Sequence, residues 1–453
     1  MNIALSPTAN KNVKSEEAFY PAHIECRNGI VTDAGNWLKR NGYAQKWDVT
    51  VDRPVAGLIP RSTGYAITDN GRIYKLGSTI SYLSGATAEG MARPDWAEFD
   101  DKIIICAGGK PIKIYGGATS LLGGSPPDAN FVARIGGYTC LAAKGGTTWY
   151  YSTINNPEDA YSSNTVKKDG TIMNMKGLNE RLYFFKTTNI EQWSLLGTMP
   201  FARIESALIE KGCGASDSVV KANLSLYWLG EDSRFYRLVG NSPQTISADY
   251  QKEIFDLAIK SDIYGIDYPM ENCIRWFAPS GGRCFKWDYK HEFMSEDNEW
   301  YSGQWQALRH NSYMELGGKA YFGSSHMDGL VHEWSDDYLD DNGNPIRVFR
   351  DFRVKGSDSG RACKWRIDKW RFKRGVATAS VTSPALAYRY NINEQGWSHV
   401  STIGLGQIGD NDPWVWDKSV LGIGEEIRFQ VWETDAVEFL LTDMELDVQE
   451  LER

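Results

Sequence analysis

The octapeptide AAKGGTTW (142–149) comes nearest to a known chemical signature in this chain. Sialidase-type Asp boxes read S-x-D-x-G-x-T-W, and Gly146, Thr148 and Trp149 stand where that pattern wants them. Ala142 and Lys144 occupy the Ser and Asp positions, so the box is broken, and such boxes shape turns rather than catalyse. A glycosidase also needs two carboxyl groups flanking the scissile bond, one with a raised pKa. The chain has 58 Asp and Glu, yet no spacing singles out such a pair.

Metal and nucleophile chemistry fare no better. DDYLDDNGNP (336–345) resembles a calcium loop only loosely, because the bidentate Glu that closes a twelve-residue EF-hand loop is missing. A solvated turn is the simpler reading. The six histidines are dispersed, and His326 and His332 share one hairpin without a third ligand. GxxxxGK[ST], GxSxG and HExxH do not occur. No catalytic, cofactor-binding or metal-binding residue is expected.

The densest basic stretch is RACKWRIDKWRFKRG (361–375), with seven Lys or Arg and two Trp. Arg and Trp dominate interface hot spots. The stretch reads as a sandwich strand with one solvated or subunit-contacting face, and Trp365, Arg366, Trp370 and Arg371 are the candidate interface residues. Nucleic-acid contact is the alternative. A net charge of -9 argues against a dedicated nucleic-acid binder, whose affinity would come from cations neutralising phosphates.

The elements that must position these residues are β-strands. Gly 44, Tyr 23, Trp 17 and Phe 17 favour pleated, half-buried surfaces joined by tight turns. One pattern recurs, starting at Gly64, Asp100, Gly136, Asn179, Lys221, Glu271 and Gly317. Each time an apolar strand meets a turn such as DNG, GGK, KGG, TTN, GED or SGG and returns as a strand ending in an aromatic or apolar residue. That is the hairpin signal. Repetition at roughly 35 to 50 residues is the mark of a propeller, in which each hairpin packs on its neighbours. Trp193, in the hairpin from Asn179, is then blade core.

The expected fold is all-β: a β-propeller of six or seven degenerate blades over 56–346, an N-terminal extended arm over 1–55, and a C-terminal β-sandwich-like domain over 347–453. One short helix is expected, at 248–260. WD40 GHxxxWD signatures are absent. Seven scattered cysteines, an odd number without CxxC spacing, read as free thiols. The first residues, MNIALSPTANKN, lack a basic region ahead of an apolar core, so no signal peptide is expected. The longest apolar run, KIIICAG (102–108), is far too short to span a bilayer, and no membrane insertion is expected.

Between 136 and 260 the order of motifs becomes specific. A P-x-x-x-Y turn (Pro157 to Tyr161) precedes a strand pair with a polar turn (Leu182 to Leu195). Lys211 to Gly214 follow, then Gly240, Pro243, Ile246 and Ser247 lead toward the expected helix. This order resembles the packaged-DNA stabilisation proteins, or tail hubs, of short-tailed bacteriophages. Stretches such as NGYAQKW, GRACKWRID and YRYNINEQGW are also similar to the family.

The resemblance implies a structural virion protein, made in the host bacterial cytoplasm and located in the short tail. It implies a sixfold homo-oligomeric ring below the portal and its adaptor (the head-to-tail connector). Such a nozzle continues the DNA channel, stabilises packaged DNA, and contacts a tailspike or tail fibre and a tail needle or plug. Double-stranded DNA passes without sequence-specific binding. The family carries no catalytic residues and no cofactor. Two other classes stay open: a propeller glycosidase or glycan-binding module of phage depolymerase type, with charged and aromatic residues at one mouth of the propeller, and a propeller scaffold unrelated to virions.

Overall fold

The computed structural model describes residues 2–4, 22–32, 36–49, 51–90, 93–167, 169–195, 200–247, 254–257, 259–356, 360–376, 378 and 380–451. Their regular structure is almost wholly β, with 3-10 turns such as Glu205–Ala207. The helix expected over 248–260 falls largely outside them. The chain forms two compact units, one of 45–282 with 309–334, the other of 1–44, 283–308 and 335–453.

The larger unit is built from antiparallel meanders of four strands. They follow one another along the chain over residues 55–82, 95–121, 131–165, 172–203 and 220–245. A hairpin of Tyr264–Tyr268 and Cys273–Ala278 comes next. The last sheet pairs His310–Leu316, Lys319–Ser324 and Leu330–Ser335, and the strand Gly42–Asp48 adds its fourth member. Among the described residues this makes seven blade positions, the last completed by a strand from the other end of the chain.

The turns explain why these segments fold back. In the first blade Gly71 sits at φ +78 in the DNG turn, a conformation that costs glycine nothing and a side chain about 1 kcal/mol or more. A four-stranded hairpin stack still leaves two apolar faces, and the cores lie between consecutive sheets. Ile59, Tyr65 and Ile67 of the first sheet cluster with Ile103, Ile105 and Ile114 of the second. Trp149 and Cys140 of the third cluster with Phe184 and Trp193 of the fourth. Val55, Leu58 and Tyr74 of the first close the circle against Met314, Tyr321 and Val331 of the last. Trp193 is blade core, edge-on to Trp149 at 5.4 Å between ring centroids.

The smaller unit is a two-sheet sandwich. One sheet contains Cys363–Phe372, Leu440–Glu450, Trp37–Lys39 and Trp414–Trp416; the other contains Ala22–Arg27, Val348–Lys355, Glu426–Glu433 and Ala385–Ile392. One apolar cluster joins Trp365, Trp370 and Met444 of the first sheet to Phe352, Leu386 and Phe429 of the second. All seven cysteines are free and buried.

The division differs from the contiguous boundaries read in the sequence. The described part of segment 1–55 supplies strands to both sandwich sheets and to the last blade, while 5–21 lie outside the described residues. The physical reason is long-range pairing: Cys26 is opposite Arg350 and Trp37 is opposite Leu441. Nothing in a local pattern reveals partners so distant along the chain.

Candidate functional site

The basic strand Cys363–Phe372 separates the four candidate interface residues. Trp365 and Trp370 are fully buried in the sandwich core, whereas the side chains of Arg366 and Arg371 are 39% and 45% exposed. Simple alternation would send residues five apart to opposite faces. A register shift between Ile367 and Lys369 inserts one residue and brings both indoles to the same side. Each is tied inward, Trp365 Nε1 donating to the Gly424 carbonyl at 2.8 Å and Trp370 Nε1 to Asp417 Oδ2 at 3.0 Å. A surface role for the two tryptophans is therefore corrected, and the arginines alone of the set reach the outer face.

That outer face is a ladder of opposite charges. Arg366 pairs with Asp447 at 3.0 Å, Lys369 with Glu445 at 2.8 Å, Arg371 with Asp443 at 3.6 Å and Lys373 with Glu438 at 2.5 Å. The acids come from the strand Leu440–Glu450 and its approach, which lie beside the basic strand. Exposed pairs of this kind contribute about 0 to 1 kcal/mol each. Their larger effect is to cancel the charge a phosphate backbone would need. On the other flank of the basic strand Trp416, Val420 and Ile423 are well exposed, with Trp416 opposite Lys369 and Val420 opposite Arg366. Sequence reasoning passed over these three, since an apolar residue in a strand reads as core.

The propeller-like unit has its own candidate site. Two adjoining cavities of about 220 Å³ and about 460 Å³ share Asp95, Trp96, Lys176, Ile266 and Tyr313 as walls. These residues sit on the first strands of different sheets, so the cavities mark the axis on which those strands converge. Asp95 ties three sheets together: Oδ1 accepts from Lys176 Nζ at 2.9 Å and Oδ2 from the Val132 N–H at 3.0 Å. Arg93 stacks on Tyr264 at 3.8 Å from the ring centroid. Asp267 lies in the larger cavity, where burial and the nearby Glu315 carboxylate push its carboxyl up to about 7. No motif marks these residues, because they are gathered from segments spread over more than two hundred positions.

The other sequence candidates resolve into structure. Trp149 of the broken Asp box is fully buried. In the loop 336–345 Asp340 caps the Gly343 N–H at 2.8 Å, while Asp341 is buried against Arg40 Nη1 at 2.8 Å. His332 and His310 stack on Phe322 at 4.9 Å and 3.5 Å, and burial lowers the His332 pKa to about 4. No group of three or more His, Cys, Asp or Glu among the described residues is placed to hold a metal ion. No helix among them is long and apolar enough to cross a membrane.

Four-stranded antiparallel sheets in cyclic order about an axial cavity define a β-propeller protein. Residues 77–255 match the family model Phage_stabilise, described as Bacteriophage P22 Gp10, beta-propeller. This is the phage DNA-stabilisation family that the motif order at 157–247 resembles, and the match supports a phage structural protein in the general sense. Solved structures with similar shape include the WD40 β-propeller domain of Doa1 (13% identity, 65% of this chain and 97% of that one, TM-score 0.42). BamB from Moraxella catarrhalis is another (11%, 62% and 83%, 0.39), as is the Neurospora crassa Pan2 WD40 domain (6%, 67% and 97%, 0.42). No curated protein matches the chain.

Proposed function

We propose that this protein is the tail hub, or nozzle, of a short-tailed bacteriophage. Made in the host cytoplasm, it forms a sixfold ring beneath the portal and adaptor, continues the DNA channel, stabilises packaged DNA, and offers attachment to tailspikes or fibres and to a plug. The role is mechanical and non-catalytic. The observation that carries this reading is the family match over residues 77–255, the stretch whose motif order already resembles these proteins.

Three physical arguments support the reading. A closed ring of identical subunits requires heterologous contacts that close, and stiff β-sheets hold such surfaces at fixed angles. An axial cavity of about 460 Å³ is also too small for a duplex whose major groove alone is about 12 Å wide, which supports a channel between subunits rather than through the propeller. Six copies at -9 would carry -54, a charge that favours sliding over sticking where it faces the lumen. The exposed face bearing Arg366, Arg371, Trp416, Val420 and Ile423 is the proposed subunit contact. The N-terminal segment is a second proposed docking element.

The test is gold-labelled antibody against this protein on intact particles from a phage lysate, viewed by negative-stain microscopy. Label on the short tail beneath the head is expected. Protein free in the lysate, with unlabelled particles, would overturn the reading and direct attention to glycan cleavage and binding assays.

A further inference from the structure

The larger cavity of the propeller has two acids in its wall, Asp95 and Asp267, and the first is matched within the fold. Asp95 accepts from Lys176 and from the Val132 N–H. Glu315 accepts from the Tyr313 hydroxyl at 3.0 Å and the Met270 N–H at 3.2 Å. Among the cations, Arg134 reaches Asp100 at 3.2 Å and Arg93 bonds Asn311, while Lys221 of the neighbouring strand is part of the same cavity wall. Asp267 is matched only in part, by the Tyr268 N–H. Its Oδ1 is shut away from solvent with no hydrogen-bond donor, yet the half-buried residue forms part of the cavity wall.

A carboxylate in such a place has lost part of its solvation, and an approaching cation makes up for that loss. The cavity, at about 460 Å³, falls in the range of small-ligand pockets, which runs from about 300 to 1,000 Å³. Trp96 and Tyr313 supply aromatic wall, and a cation gains from the face of an aromatic ring. The Arg93–Tyr264 stack shows that this end of the propeller already uses such contacts.

We propose that the axial cavity binds a compact organic cation, a guanidinium or primary ammonium group, paired with the Asp267 carboxylate. The group comes either from a basic side chain on a partner peptide or from a free polyamine. Both share the chemistry and differ in what else they carry.

Titration calorimetry of the full chain with N-acetylarginine amide and, separately, with spermidine tests this at pH 8. Saturable binding of at least one probe is expected. It should weaken tenfold or more in Asp267→Asn and stay unchanged in Asp128→Asn, a surface control that pairs with Lys110. Binding of the arginine amide alone identifies the peptide source, and binding of spermidine alone the polyamine. If Asp267→Asn unfolds, the wild-type chain decides: its affinity should fall between pH 8 and pH 6 as the carboxyl takes up a proton. No saturable heat with either probe, equal affinity in Asp267→Asn, or a flat pH profile would overturn the proposal.

Discussion

Lys39 and Glu433 form an ion pair at 2.6 Å with side chains 3% and 0% exposed, so a strand near the N-terminus is pinned to a strand near the C-terminus inside the sandwich unit. Lys39 also donates to the Asp435 carbonyl at 2.6 Å. Burial outweighs the attraction between the partners: it pushes Glu433 up to about 7 and pulls Lys39 below the usual lysine range. Such pairs lend specificity more readily than stability, because both ions leave water.

The pair has a pH signature. Between the ordinary carboxyl value near 4.5 and the folded value near 7, the folded chain holds a proton that the unfolded chain has lost. Stability from this site therefore falls as pH rises through that window, by up to about 1.4 kcal/mol per unit. Toward alkaline pH, Lys39 acts in the opposite sense. Urea denaturation of wild type and Glu433→Gln at pH 5 and pH 7 reads the effect of the pair, since groups not coupled to Glu433 cancel in the difference. Wild type should lose ground to the variant at pH 7 by up to about 2.7 kcal/mol. A pH-independent difference would mean that Glu433 ionises normally.

The split face of the basic strand can be tested by two alanines. Trp365→Ala removes a fully buried indole and should cost about 3 to 5 kcal/mol. Arg371→Ala removes one half of an exposed pair and should cost less than about 1 kcal/mol. Chemical denaturation reads both, and the reverse order would place the wrong residues in the core.

Closure of the propeller runs through Gly329. Its φ is +66, and a Cβ there would meet the Val51 carbonyl oxygen at 2.3 Å. The Gly329 N–H and carbonyl are both engaged, with Arg53 and Val49. Gly329→Ala should destabilise by about 2 kcal/mol or more, combining backbone strain with that clash. Differential scanning calorimetry would register a lower Tm; an unchanged Tm would show that this turn relaxes freely.

DNA binding should be weak despite the seven cations of 361–375. In 150 mM salt, fluorescence anisotropy with a labelled duplex should give an apparent Kd no tighter than roughly 100 µM, the weak end of non-specific binding. Replacing the facing acids together (Asp443→Asn, Glu445→Gln and Asp447→Asn) unmasks Lys369, Arg366 and Arg371 and should tighten binding with a steeper salt dependence. Micromolar wild-type binding would contradict the charge-cancelling ladder.

Much of the propeller is legible in local sequence. Six of the seven recurring hairpins supply the two middle strands of a blade, as with Arg181–Lys186 and Ile190–Leu195, while the one from Glu271 supplies Cys273–Ala278 and Arg283–Asp288, the latter in the other unit. Their turns and apolar runs act over a few residues, so each announces itself. The outer strands do not. Ser81–Tyr82, Ala118–Leu121 and Ser162–Thr165 are short, polar and largely exposed, and they are strands only because a neighbour offers its hydrogen bonds.

What the sequence determined by itself was the β class, the repeated hairpin and the phage-family resemblance, all of which rest on turn chemistry and short-range order. Tertiary structure alone decided the rest: a bulge turned Trp370 to the side of Trp365, and an acidic strand cancelled a basic one seventy residues away. Closure of the blades brought Asp95, Lys176 and Asp267 to one cavity. Each outcome depends on which distant strand pairs with which and in what register, and a shift of one residue exchanges the buried face for the exposed one.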